Sequence, residues 1–249
     1  MPFPTLLAII VFGLVGIAYA DNDIDAKVTA ALADESRPAE DHTRDTNRRP
    51  LDTLNFFGLK DDMRVLELFP GGGWYTRVLA PVLSDNGKLY VALGTDTASK
   101  NVLTAPGFEK VEVLTTSDNL RRPEGSRHYV LDDFEFGVSE LDMVVTFRNL
   151  HNFDADARAT VNRQVFAALR SGGLYGIVDH TARHMEPANH ENRRRIDPVK
   201  VIKELLDSGF EFVDYSDLHY RADDELVYEV GRHTVTGNTD RFTLLFRKP

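Results

Sequence analysis

Residues 64–76 read Arg64-Val65-Leu66-Glu67-Leu68-Phe69-Pro70-Gly71-Gly72-Gly73-Trp74-Tyr75-Thr76. An apolar run of strand type passes through three glycines and straight into a stretch with helical spacing. Glycine lets the backbone turn tightly and lets a ligand approach main-chain N–H groups. In doubly wound sheets, ligands sit beyond the C-terminal ends of the strands. The stretch therefore points to an open α/β sheet with a ligand at this turn. A tight turn that binds nothing is the plain alternative.

Outward from the turn, the pattern alternates. Short apolar runs predict strands at 64–69, 88–93, 110–115, 141–147, 174–179, 210–215 and 241–247. Helical spacing predicts helices at 74–83, at 155–170 with Gly172-Gly173 as the stop, and at 198–208 with Asp197 as N-cap, Pro198 in the first turn and Gly209 after the end. Strands without polar alternation, separated by helices, indicate a mostly parallel sheet covered on both faces. No clear helix fills 216–240, and Gly237-Asn238 marks a turn, so the last strand is expected to pair antiparallel with the sixth. Before the first strand, Ile24, Val28, Ala31 and Leu32 share one helical face, and Pro50 opens a short helix with Leu51, Leu54 and Phe57 on one face. Residues 34–50 are dense in both charge signs and hold no large apolar side chain, which reads as a solvated linker or an exposed helix.

Composition narrows the function classes. Hydrophobic residues make up 42% and charged residues 27% of the 249-residue chain, an ordinary globular balance. Acidic residues outnumber basic ones 39 to 29, for a net charge of −10, which argues against a nucleic-acid partner. The chain has no cysteine, so disulfides, thiolate nucleophiles and Cys-ligated metals are excluded.

Residues 1–20, MPFPTLLAIIVFGLVGIAYA, read as a signal peptide. The apolar run Leu6–Ile17 has signal-peptide length, shorter than the ~20 residues a spanning helix needs, and Ala18-Tyr19-Ala20 fits a small-x-small cleavage site. The expected organisation is a signal peptide at 1–20, an N-terminal helical segment at 21–58 and a ligand-binding domain at 59–249. Export, to the periplasm, follows, without stable membrane insertion once the signal is removed. An uncleaved membrane anchor is the alternative.

Two details separate possible cofactors. A dinucleotide fingerprint needs G-x-G-x-x-G, but Gly71-x-Gly73 is followed by Thr76 at the third position. The other detail is the acid Glu67 inside the first strand, four residues before Gly71. Here the chain resembles the class I S-adenosylmethionine (SAM)-dependent methyltransferases, whose first motif is E/D-x-G-x-G-x-G. Glu67, Phe69, Gly71 and Gly73 stand at its four marked positions, with Phe69 replacing the first glycine. The longer string LELFPGGGWYT, with FRNLHN and RIDP downstream, is similar to a bacterial branch of predicted methyltransferases that often carry an export signal. The resemblance covers about residues 35–249. It implies a three-layer, Rossmann-like class I methyltransferase fold with a seven-stranded sheet and an antiparallel last strand. It also implies SAM as cofactor, held by Glu67, Phe69, Gly71, Gly72, Gly73, Tyr75 and Thr76, with Asn149 at its amino-acid part or at the substrate and Asp118 at the adenine. Charge agrees, because a carboxylate balances a sulfonium and an ammonium and would repel a pyrophosphate. No acid ends the second strand; Asp96, just past it, is a ribose ligand only if its loop folds back.

The fourth strand ends in Thr146-Phe147-Arg148-Asn149-Leu150-His151-Asn152. In class I methyltransferases this corner faces the transferable methyl. His151 is the candidate general base, with His180 at the end of the fifth strand as the alternative. A solvated loop with helix caps is the plain reading of the corner. His180, His184 and His190 lie close in sequence without a helix-borne ligand pattern, so no metal site is expected. In Arg193-Arg194-Arg195-Ile196-Asp197-Pro198, Arg195 is a candidate anion ligand over the cleft. The expected function is methyl transfer from SAM to a small or medium-sized acceptor. An NAD(P)-linked oxidoreductase and a non-catalytic nucleotide-binding protein on the same fold are its rivals. Oligomeric state leaves no mark in the sequence.

Overall fold

The computed structural model describes residues 24–116 and 120–249. The proposed signal peptide and Asp118 lie outside the described residues.

Seven strands form one sheet: β1 (Arg64–Leu68), β2 (Lys88–Ala92), β3 (Glu112–Val113), β4 (Leu141–Phe147), β5 (Leu169–His180), β6 (Glu211–Ser216) and β7 (Arg241–Arg247). Their order is β3-β2-β1-β4-β5-β7-β6. β3, β2, β1, β4 and β5 run parallel, and β7 runs antiparallel to both β5 and β6. Strand order reverses between β1 and β4. In such sheets a crevice opens there, beyond the carboxyl ends of the strands.

Side chains alternate across the sheet and feed two cores. On one face Val65, Met143 and Val145 pack with α1 (Ile24–Ala33), α3 (Pro50–Phe56) and α4 (Thr76–Leu83) through Val28, Leu54, Phe57 and Leu79. On the other, Leu66, Val144 and Tyr175 pack with α6 (Ala155–Ala168) and α7 (Pro198–Asp207) through Val161, Val165 and Leu205. Glu67 is the odd member of its strand. It occupies the face of Val65, in a core otherwise apolar.

Two local expectations need correction, and one helix was not expected. Residues 34–50 are not a linker but hold the helix of the two readings: α2 (Ala39–Arg48) faces solvent over much of its length, yet it buries Asp41 and Arg48 at the glycine turn, with Arg37 buried just ahead of it. Arg37 pairs with Asp45 at 2.7 Å, Arg77 with Asp41 at 3.1 Å, and Trp74 Nε1 donates to the Asp41 carbonyl. Ion pairs and one indole hold this helix, so its sequence shows no apolar stripe. Gly172-Gly173 does not stop a helix. α6 ends at Ala168 and the chain enters β5 at once; Gly173 there lets strands close, since a Cβ would meet the Arg170 and Leu141 carbonyls near 3.0 Å. Finally, α5 (Asp96–Asn101), six residues long, had no sequence signature. The caps of α7 match expectation: Asp197 accepts from the Val199 amide and Pro198 takes the first position.

Candidate active site

Four cavities run in series along the C-terminal edge of the sheet. The first holds about 180 Å³ beside the glycine turn and is lined by Glu67, Phe69, Gly71, Gly72, Tyr75, Phe147, Arg148 and Asn149. The next, about 230 Å³, shares Phe69, Gly71 and Asn149 with it and adds Gly94 and Leu120. From there Gly94 and Leu120 lead to about 420 Å³ beyond β2 and β3, where Asp96 sits at the mouth. In the opposite direction, Arg44, Arg48 and Arg148 join the turn cavity to one of about 380 Å³ beyond β4 and β5.

Glu67 is 3% exposed, and its Oε2 accepts a 2.6 Å hydrogen bond from Thr76 Oγ1. Among the described residues its other oxygen has no hydrogen-bond partner. Burial pushes its carboxyl up to about 7, against the pull of the Thr76 hydroxyl and of Arg48. Thr76 thus positions Glu67 and does not itself line the cavity.

The glycines divide by role. A Cβ on Gly72 would meet nothing within 4 Å, and one on Gly71 would only touch the Phe69 carbonyl at 4.0 Å. These two leave open space for a ligand. Gly73 is buried and backs onto α5's end: a Cβ there would lie 2.4 Å from Val102 Cγ2, at φ +77°. Gly73 therefore serves the close packing of turn and helix and does not face the cavity. Phe69, in the motif's first glycine position, has φ 54°. The backbone asks for glycine there, and the left-handed conformation costs a non-glycine residue roughly 1–2 kcal/mol. The ring packs against Phe153, centroids 4.7 Å apart, and Asn149 Nδ2 donates to the Phe69 and Phe147 carbonyls, tying the ends of β1 and β4 together. Tyr75 stacks on Phe147 at 3.4 Å and donates its hydroxyl to the Arg48 carbonyl.

Both candidate histidines line the 380 Å³ cavity beyond β4 and β5, the larger of the two that Arg48 and Arg148 join, their rings 5.6 Å apart. His151 Nδ1 lies 2.6 Å from Asp179 Oδ1. Asp179 is fully buried and also accepts the backbone amides of His151 and His180. A carboxylate only accepts, so Nδ1 carries the proton, and in the neutral ring Nε2 is the nitrogen with the lone pair. His180 Nδ1 pairs with Thr239 Oγ1 at 2.9 Å, and burial holds its pKa well below the usual histidine range. The sequence shows Asp179 at a strand end but not its pairing with His151, which depends on β4 and β5 lying side by side.

The larger cavity is also lined by Arg44, Arg48, Arg148, Arg194 and Arg241, and by no carboxylate. Arg194 pairs with Glu229. Among the described residues, Arg48, Arg148 and Arg241 have no carboxylate within ion-pair distance. Arg195, expected from its sequence position to bind an anion over the cleft, instead forms a fully buried pair with Asp224 at 2.9 Å and donates to the Tyr228 and Thr181 carbonyls. Its neighbour Arg194 reaches the cavity. His184 pairs with Asp197 on the surface, and among the described residues no three His, Asp or Glu side chains converge as for a metal.

No protein-family model matches the sequence, and no curated protein matches it. Solved structures do match the fold. A SAM-dependent methyltransferase from Aquifex aeolicus aligns with TM-score 0.56 and 18% identity, over 89% of this chain and 97% of that one. The glycopeptide N-methyltransferase MtfA, solved with S-adenosyl-L-methionine, aligns with TM-score 0.53 and 15% identity, over 82% and 94%. The [4+2]-cyclase SpnF aligns with TM-score 0.51 and 16% identity, over 82% and 81%. The chain is thus similar in fold to class I methyltransferases: an α/β, mostly parallel seven-stranded sheet with one antiparallel strand, as its sequence implied.

Proposed function

We propose that this chain is a SAM-dependent methyltransferase acting on a small or medium-sized acceptor. Glu67 carries the reading: a buried carboxyl with a hydroxyl as its one hydrogen-bond partner among the described residues, set at the switch point beside two glycines with open space. SAM brings a sulfonium and an ammonium to such a group. The residues fit the cofactor. Glu67, Phe69, Gly71, Gly72, Tyr75 and Asn149 would hold its amino-acid part, and Gly73 and Thr76 support them from behind. The cavities toward β2 and β3 suit the nucleoside, with Asp96 at the ribose and Asp118, outside the described residues, at the adenine.

When bound, the cofactor supplies an electrophilic methyl group on sulfur. The protein's share is alignment of the acceptor and removal of a proton. His151 takes that proton at Nε2, while Asp179 fixes the tautomer and offsets the charge that forms. His180, kept neutral by burial, positions the acceptor. The same fold carries a cyclase among its neighbours, so the assignment rests on these side chains and not on the likeness. The apolar run before Ala18-Tyr19-Ala20 supports export; among the described residues no helix is long and apolar enough to cross a membrane.

Thermal melts with SAM, S-adenosylhomocysteine (SAH), NAD and NADP test the cofactor. At ~100 times its Kd a ligand stabilises by about 2.7 kcal/mol. SAM and SAH should raise the melting temperature. A rise with NAD or NADP alone replaces this reading with an oxidoreductase.

A further inference from the structure

Arg48 is 6% exposed and lines both the turn cavity and the larger one. Its main chain is clamped: its carbonyl accepts from Tyr75, from His219 at 2.9 Å and from Thr53. Its guanidinium lies over the Trp74 ring at 4.4 Å, yet makes no hydrogen bond among the described residues. Arg241, 5% exposed, reaches only the Thr239 and Asn47 carbonyls. Arg148 makes no side-chain hydrogen bond among the described residues, and its backbone takes φ 63°. Burial, with repulsion from neighbouring arginines, lowers all three, Arg48 to about 9 and Arg241 to about 10. Uncompensated buried charge is costly. In a chain of net charge −10, two buried cations and the half-buried Arg148, facing one cavity without a carboxylate, form a site arranged for an anion.

We propose that the larger cavity binds the acceptor through a carboxylate or phosphate group gripped by Arg48, Arg148 and Arg241. The proposal rests on the methyl-transfer reading of the adjoining cavity. SAM's own single carboxylate would need no more than one or two of the three arginines shared by both cavities, Arg44, Arg48 and Arg148. Arg241, which has no carboxylate partner, lines only the larger cavity, so the positive charge exceeds what the cofactor needs. Guanidinium groups match both anions with paired N–H donors. The anion would hold the acceptor beside His151 Nε2, on the same cavity wall. A cavity of about 380 Å³ takes a small molecule and not a nucleic-acid strand.

Citrate and pyrophosphate are the probes, in melts without SAM at ionic strength fixed with sodium chloride. At least one should raise the melting temperature by about 2–5 °C, and which one does so assigns carboxylate or phosphate. Arg148→Met and Arg241→Gln should each remove the shift, with SAH binding kept in Arg241→Gln. Unliganded Arg148→Met should melt above the wild type, because it relieves desolvated like charge; an arginine with a purely structural role would give the opposite. No shift with either anion, or a full shift in both variants, overturns the proposal. SAH is titrated in parallel. SAH binding without an anion shift defeats this proposal alone, and an anion shift without SAH binding leaves the anion site standing and removes the cofactor reading.

Discussion

Oγ1 of Thr76 stands 2.6 Å from Oε2 of Glu67, inside a core shared by β1 and α4. A hydroxyl is the one hydrogen-bond donor the protein offers this buried acid, and burial outweighs it and the pull of Arg48, so the carboxyl is pushed up from its ordinary 4.5 to about 7. The folded state then holds a proton that the unfolded state releases. Stability from this group is fully present below about pH 4.5 and is lost as pH rises through 7, by roughly 3 kcal/mol. Urea titrations from pH 4.5 to 8 should show that slope in the wild type and a flatter profile in Glu67→Gln. Equal slopes would contradict the assignment of the shift to Glu67.

Gly73→Ala should cost the fold about 2–4 kcal/mol, combining overpacking against Val102 with left-handed backbone. Gly72→Ala meets open space and should leave the melting temperature nearly unchanged while weakening whatever binds at the turn. Circular-dichroism melts of the two variants separate the roles. If Gly73→Ala is as stable as the wild type, the packing role of that glycine is wrong.

His151→Ala should lower turnover by ~10²–10⁴ once an acceptor is known, with SAH affinity little changed. Asp179→Asn should also reduce turnover, because the amide can hold the wrong imidazole tautomer. His180→Ala should act mainly on acceptor KM. Full activity in His151→Ala with loss in His180→Ala moves the base to β5.

The sheet was legible because its central strands are buried on both faces and read as continuous apolar runs, as in Val65-Leu66 and Met143-Val144-Val145. The glycine turn and Glu67 were legible for a local reason: strand, acid and glycines follow within ten residues. What escaped was built from distance. α2 is held by Asp41 to Arg77 and by Arg48 on Trp74, contacts that no periodicity records. Arg48, Arg148, Arg194 and Arg241 meet only because the topology brings α2, the end of β4, the loop after β5 and the start of β7 to one sheet edge. Arg193-Arg194-Arg195 signalled a basic run, but only the fold decides that Arg194 reaches the cavity while Arg195 is buried against Asp224.

That pair gives a stability prediction. Both side chains are fully buried, so Asp224→Ala leaves an uncompensated guanidinium inside the protein. The expected loss is about 3–5 kcal/mol, read as a shifted midpoint in chemical denaturation. A change under 1 kcal/mol would show that Arg195 finds another partner and is available to the cleft.

Calorimetric titration of SAH into the wild-type chain and into Glu67→Gln at pH 8 tests the cofactor site most directly. Glu67 is then ionised in the wild type, and the Gln variant keeps the shape without the charge. The expected result is one site per chain, with binding at least tenfold weaker in Glu67→Gln, about 1.4 kcal/mol. Absence of SAH binding to the wild type, or equal affinity for both chains, would contradict a cofactor site built on Glu67.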